Sequence, residues 1–288
     1  VPELPEVEAL ALDLKGRLQD RAIVKVHIAA FSALKTFDPP LSALEGTLVD
    51  DVTRHGKFLD IHASGLHLCL HLARAGWIRW RDEVPTIPPK PSTKNPLAVR
   101  IVLDNDAGLD ITEAGTKKSL AMYVVRDPLD VPGIASLGPD PMVESFTIDV
   151  LREILQREGR KQLKGVLRHQ GTIAGIGNAY SDEILHAARM SPYKPAGGLD
   201  DGELETLYAA IRDTLGAAVE RSRGLHASEL KGEKKSNLAV HGRTGQACPV
   251  CGDIVREVSF ADSSLQYCPT CQTGGKPLAD RRMSKLLK

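Results

Sequence analysis

Four of the chain's five cysteines crowd into its last fifth: Cys248, Cys251, Cys268 and Cys271. Their pattern is C-x2-C, sixteen residues, then C-x2-C. Two tight knuckles of this kind can set four thiolates around one tetrahedral ion. Such a four-cysteine zinc site is closed, so the metal is structural rather than reactive. The rival pairing, two disulfides, needs an oxidising compartment that no other feature supports. Between the knuckles, DIVREVSFADSSLQY reads as two short strands around a polar turn, a zinc ribbon or β-hairpin finger. A second chemistry-bearing stretch is GTIAGIGNAYSDEILHAARMSP. Gly175 and Gly177 let backbone approach a ligand closely, and Asn178 opens a helix whose N-terminus suits a phosphate. A tight interhelical turn that binds nothing fits the same residues. The third stretch is the opening VPELPEVEAL, in which acids alternate with Leu, Pro and Val.

The elements that would position these residues can be read in outline. Residues 4–19 have a helical pattern with Val7, Leu10, Leu14 and Leu18 on one face and Pro5 in the first turn. Residues 22–125 read mainly as strands: AIVKVHIA, GTLVDDVTRHGKFLDIHA, LHLCLHL, AVRIVLD and LAMYVV alternate or are β-branched. Cys69 falls in one of these runs and reads as a buried small hydrophobe. PTIPPKPSTKNP is a proline-rich surface loop, and RDPLDVPGIASLGPDPM reads as a linker. Helices follow at about 148–157, 161–169, 178–189 and 203–220, the last with Asp200 and Glu203 in a capping-box pattern. GLHASELKGEKKSNLAVHGRTG is polar and basic and reads as a flexible loop.

The expected architecture is α+β and multi-domain. A β-rich domain spans 1–126, a linker 127–147, a helical domain with its loop 148–240, and a metal module with a basic tail 241–288. With 42% hydrophobic and 26% charged residues the chain has the make-up of a folded soluble protein. It has no apolar run of about 18 residues and no basic-then-apolar leader, so a cytoplasmic protein without membrane contact is the default. A formal net charge of zero neither demands nor excludes nucleic acid, because a polyanion meets a local patch rather than the sum. No internal repeat is visible, no nucleotide-cradling glycine loop follows a strand, and a monomer is expected.

PELPEVE, HGKFLD, SLGPDPM, AGIGNAYSDEILHAARMSP and the terminal C-x2-C…C-x2-CQ occur together and in order. In this the chain resembles the formamidopyrimidine-DNA glycosylase / endonuclease VIII family of base-excision repair enzymes over nearly its whole length. The resemblance implies a β-sandwich with an N-terminal helix, a helix–two-turn–helix domain and a zinc finger carrying one Zn2+, with damaged double-stranded DNA between the lobes. It implies that the amine of Pro2 is the nucleophile that forms an iminium with the sugar, and that Glu3 is the general acid/base. It places Lys57, Asn178 and Lys164 on DNA phosphates and Glu183 beneath the site as a structural acid. Glu6 and Glu8 suit the helix start as acids on its dipole, and a place for Glu6 supporting the site stays open. An amide nitrogen cannot attack, so Val1 is expected to represent a GTG start codon whose residue is removed. A flipped base is required for Pro2 to reach C1′.

The chain also departs from the family pattern. Where the zinc hairpin commonly carries Arg, five residues before the third cysteine, it has Ser263; Arg256, Arg281 or Arg282 are the substitutes at hand. Where a void-filling Met and an Arg-Arg-Phe turn are common, it has Arg74 in HLARAG, and Lys117 and Lys118 in TEAGTKKSL. These basic residues are expected to face DNA by stacking on or pairing with the orphan base rather than by apolar wedging. Three readings follow. One is a glycosylase/AP lyase for oxidised purines, favoured by a 222–238 stretch like the capping loop of the purine-acting branch. Another is the same enzyme acting on oxidised pyrimidines, abasic sites or another lesion. The third is a damage-binding protein without the chemistry.

Overall fold

The chain enters its first helix, α1 (Leu4–Leu18), through a reciprocal cap. The Glu3 backbone N–H donates to Glu6 Oε2 at 2.8 Å, and the Glu3 carboxylate accepts the Glu6 amide in return. Val7, Leu10, Leu14 and Leu18 form the buried stripe. The computed structural model describes residues 2–85, 87–89, 96–260 and 263–279. Residues 1–137 with 219–231 form one compact unit, and residues 138–218 with 232–288 form the other.

In the first unit eight strands follow: β1 (Ile23–Ile28), β2 (Val49–His55), β3 (Phe58–Ala63), β4 (Leu66–His71), β5 (Gly76–Arg81), β6 (Leu97–Leu103), β7 (Gly108–Glu113) and β8 (Ala121–Val125). They make two antiparallel sheets in the orders β1-β6-β7-β5 and β2-β3-β4-β8. Period-two alternation sends Leu59, Ile61, Leu68 and Leu70 inward from one sheet. Val99, Ile101, Leu109 and Ile111 come from the other, and the α1 stripe joins the same core. On the far face of β3 and β4, Val131 and Ile134 at the short helix α2 (Pro132–Ala135) cover Phe58, Cys69 and Val125. Burial, with Asp60 beside it, pushes the Cys69 thiol pKa up, so this cysteine is an inert hydrophobe as its apolar run suggests.

Antiparallel pairing fixes which loops meet. Phe58 pairs with His71 and His71 with Ala121, so the β2–β3 turn, the β4–β5 turn and the β7–β8 loop leave the sandwich at one end. The Ala114 amide donates to the Ala75 carbonyl at 3.1 Å and ties two of these loops together.

The second unit contains α3 (Ile148–Glu158), α4 (Leu163–Arg168), α5 (Asn178–Ala187) and α6 (Asp201–Ser222) as far as residue 218. Thr147 caps α3, and the Asp200–Glu203 box opens α6 with bonds of 2.8 and 3.2 Å. Gly138 of the SLGPDPM stretch must be glycine: a Cβ there would lie 2.6 Å from the Thr172 carbonyl. Gly175 takes φ +86° in the turn before α5. The stretch expected to be a flexible loop is instead ordered. Leu225, Ala227 and Leu230 pack into the sandwich core of the first unit, and α7 (Leu230–Asn237) follows. Three apolar side chains in a polar segment are enough to dock it. The chain then forms the hairpin β9 (Arg256–Ser259) and β10 (Ser264–Tyr267), and the short α8 (Pro269–Thr273).

Candidate functional site

At the loop end of the sandwich the structure gathers most of the residues singled out in the first unit. Pro2 and Glu3 are buried at the start of α1. Arg54 at the end of β2 pairs with Glu8 at 2.6 Å and donates to the Gly56 carbonyl at 3.1 Å, which holds the β2–β3 turn against α1. That turn presents Lys57, half-buried. Arg74 is exposed on the β4–β5 turn, and Lys117 and Lys118 are exposed on the β7–β8 loop. Lys118 Nζ donates to the Glu113 carbonyl at 2.5 Å. Buried Glu113 accepts the amides of Ser119 and Leu120 at 2.6 and 2.9 Å and so shapes that loop. The sequence reading missed His71. Its register opposite Phe58 sets it beside Lys57, and burial first, then the Lys57 charge, hold its imidazole below the usual pKa range. Alternation in LHLCLHL placed His71 on this face, but only the hairpin pairing shows the neighbour.

Lys164 and Asn178 belong to the second unit, and both are engaged internally. Lys164 is 5% exposed. Its ammonium donates to Asp182 Oδ1 at 2.6 Å, Ser181 Oγ at 2.9 Å and the Asn178 carbonyl at 3.1 Å. In this structure the charge lies on a buried carboxylate. Asn178 is the first residue of α5 rather than its cap, which is Gly177. Its amide Nδ2 donates to the Ser264 carbonyl at 2.8 Å, and its Oδ1 is buried without a partner among the described residues. Turning the amide over would set two oxygens against each other. Glu183 accepts the amides of Ala239, Val240 and His241 at 2.6, 3.0 and 2.8 Å. Burial raises its pKa against the pull of those amides.

The four cysteine sulfurs lie within 4.8 Å of one another, with Cys248–Cys271 at 3.9 Å and Cys251–Cys268 at 3.3 Å. Thiolates about 2.3 Å from a tetrahedral ion stand about 3.8 Å apart. The set fits zinc, and the four cysteines are free of disulfides in this structure. The cysteines form the site of one structural zinc ion. In the hairpin above them Ser263 closes the turn, its carbonyl accepting the Phe260 amide at 2.7 Å. Arg256 does not replace the missing arginine at the tip, because it pairs with Tyr267 at the cysteine end of the hairpin. Arg281 and Arg282 lie outside the described residues, as does Val1. Among the described residues no helix is long and apolar enough to cross a membrane.

A β-sandwich opened by a capped Pro–Glu helix start, a helical module and a four-cysteine hairpin define a three-module class of protein. Profiles of three families match it in that order. The formamidopyrimidine-DNA glycosylase N-terminal domain matches residues 1–119, the formamidopyrimidine-DNA glycosylase H2TH domain 137–229, and the zinc finger found in FPG and IleRS 245–274. The chain is 35% identical over 295 residues to the formamidopyrimidine-DNA glycosylase of Symbiobacterium thermophilum, covering 98% of this chain and 93% of the relative. It is 58% identical over 157 residues to an uncharacterized formamidopyrimidine-DNA glycosylase-like protein of Mycobacterium tuberculosis, covering 54% of this chain and 98% of that one. MutM in complex with DNA containing carbocyclic 8-oxo-G superposes with a TM-score of 0.82 at 25% identity, covering 94% of this chain and 100% of that one. The Lactococcus lactis enzyme bound non-covalently to DNA with an AP site gives 0.80 at 25% identity, over 94% of this chain and 99% of that one. The chain belongs to the formamidopyrimidine-DNA glycosylase family.

Proposed function

We propose that the protein is a base-excision repair DNA glycosylase with AP lyase activity, acting on oxidised bases in double-stranded DNA. The observation that carries this reading is the loop end of the sandwich. The Arg54–Glu8 pair ties the helix that Pro2 and Glu3 open to the end of β2 whose turn carries Lys57, and the loops with Arg74, Lys117 and Lys118 leave the sandwich at that end beside His71, cations suited to a DNA backbone. The names of the relatives and the DNA in the similar structures support it.

In this reading the mature chain starts at Pro2. Its α-amine titrates near pH 8, so a working fraction is unprotonated at neutral pH. The amine nitrogen bonds to C1′ as the glycosidic C1′–N bond breaks, and the base leaves with that electron pair and a proton. Glu3 accepts the proton from the attacking amine and gives it to the sugar ring oxygen as the C1′–O4′ bond breaks, and the nitrogen lone pair then closes the C1′=N iminium. The resulting iminium acidifies C2′, and loss of that proton expels the 3′ phosphate. The zinc ion holds the hairpin and takes no part in bond making.

Borohydride trapping on duplexes carrying 8-oxoguanine or an abasic site tests this, with the free Pro2 amine confirmed by intact mass. A covalent adduct that disappears on N-acetylation is the expected result. Binding without an adduct on either duplex would refute the reading as drawn. A second reading keeps the nucleophile and changes the lesion. Ser263 at the hairpin and the Arg74, Lys117 and Lys118 loops favour it, because these positions depart from the family pattern where the lesion and its partner base are met. Trapping on oxidised pyrimidines but not on 8-oxoguanine would select it.

A further inference from the structure

Helix α5 docks the zinc hairpin with a buried polar stripe. Asn178, Asp182 and His186 stand four residues apart and share one face. Asn178 donates to the Ser264 carbonyl. Asp182 Oδ2 accepts from His241 Nδ1 at 2.7 Å and from the Gln266 amide at 3.2 Å. At the far end of the stripe, His186 Nε2 lies 3.2 Å from Cys248 Sγ. His186 is 5% exposed and Cys248 3%. No zinc-ligand arithmetic in the sequence includes this histidine.

A buried imidazole needs a hydrogen-bond partner, and for His186 Nε2 that partner is the Cys248 sulfur of the first knuckle. A zinc-bound cysteine is a thiolate and has no proton to give. The bond can then run in one direction only, from the imidazole N–H to the sulfur. We propose that His186 is a positioning residue for the zinc ion: its Nε2–H donates to the Cys248 thiolate and fixes the first cysteine knuckle to helix α5. Groups that bond a metal ligand from outside the coordination sphere orient it and hold the metal. Here the same helix also carries Asn178, so the contact links metal retention to the helix end that meets the hairpin turn strand. The inference rests on zinc at the four cysteines and not on the DNA chemistry, so a failed trapping experiment leaves it untouched.

Zinc transfer from the purified full-length protein to a chelating dye tests it. His186→Phe fills the space without a donor and is expected to speed zinc loss about ten-fold. His186→Gln keeps an N–H on the side chain and is expected to release zinc more slowly than His186→Phe. A folded His186→Phe protein that releases zinc at the wild-type rate overturns the proposal. Ring 15N shifts of zinc-loaded wild-type protein supply a readout that needs no variant. They are expected to show the His186 proton on Nε2, and a bare Nε2 overturns the proposal even if His186→Phe does not fold.

Discussion

Lys164 shows how burial decides what a cation does. Sequence likeness assigns its charge to a phosphate, yet in the fold its ammonium lies on Asp182, which is fully buried. Removing one member of a buried ion pair costs about 3–5 kcal/mol, an upper bound here because the His241 ring and the Gln266 amide still bond Asp182. Lys164→Met should lower unfolding stability by that order in a urea titration, and near-wild-type stability would show the pair to be dispensable. The spacing of Lys164 and Asp182 along the chain carries no sign of their contact, because it arises from how α4 meets α5. His71 makes the complementary case. Its pKa is depressed in the fold, so the native state prefers the neutral ring. Stability from this group is complete above the ordinary imidazole pKa and declines as pH falls from there toward the folded value. Burial and the Lys57 charge both act on it. Lys57→Met removes one cause, so an NMR titration of the His71 ring should show its pKa rising while staying below the usual range. A fall or no change would show that Lys57 does not reach the ring.

At the scale of elements, helix starts and strands were legible because their causes are local. The α1 stripe, the Asp200–Glu203 box and the alternation of β3 and β4 are all written in the spacing of a few residues. The segment after α6 was not. Its polar composition hides Leu225, Ala227 and Leu230, whose partners are distant in sequence. Trp77 Nε1 donates to the Ala227 carbonyl at 2.8 Å and adds a directional hold. Removing that donor with Trp77→Phe should cost about 0.5–1.5 kcal/mol, seen as faster hydrogen exchange in residues 225–231. Leu230 is fully buried, so Leu230→Ala should cost about 2–5 kcal/mol. Unchanged exchange in both variants would mean that the segment is held by something other than this docking.

For the whole molecule, the order of modules could be read from five short stretches. How the chain is shared between the compact units could not. Composition gives no reason for 219–231 to leave the helical unit, or for the hairpin to join it through Asp182, Glu183 and His186. That division sets the consequence of losing the metal. The small core beneath the hairpin consists of Val240, Val255 and the ligands Cys248 and Cys268, with Cys271 against it. Its order and its metal are therefore one thing, and zinc binding supplies its folding free energy. The sandwich core draws all its residues from the other unit. Chelation should abolish hydrogen-exchange protection across residues 245–274 and weaken it along α5, while peptides from β3, β4, β6 and β7 keep theirs. Protection retained in 245–274 after complete zinc removal would show the hairpin to be self-sufficient. Loss of protection throughout the sandwich would show that the two units do not unfold separately.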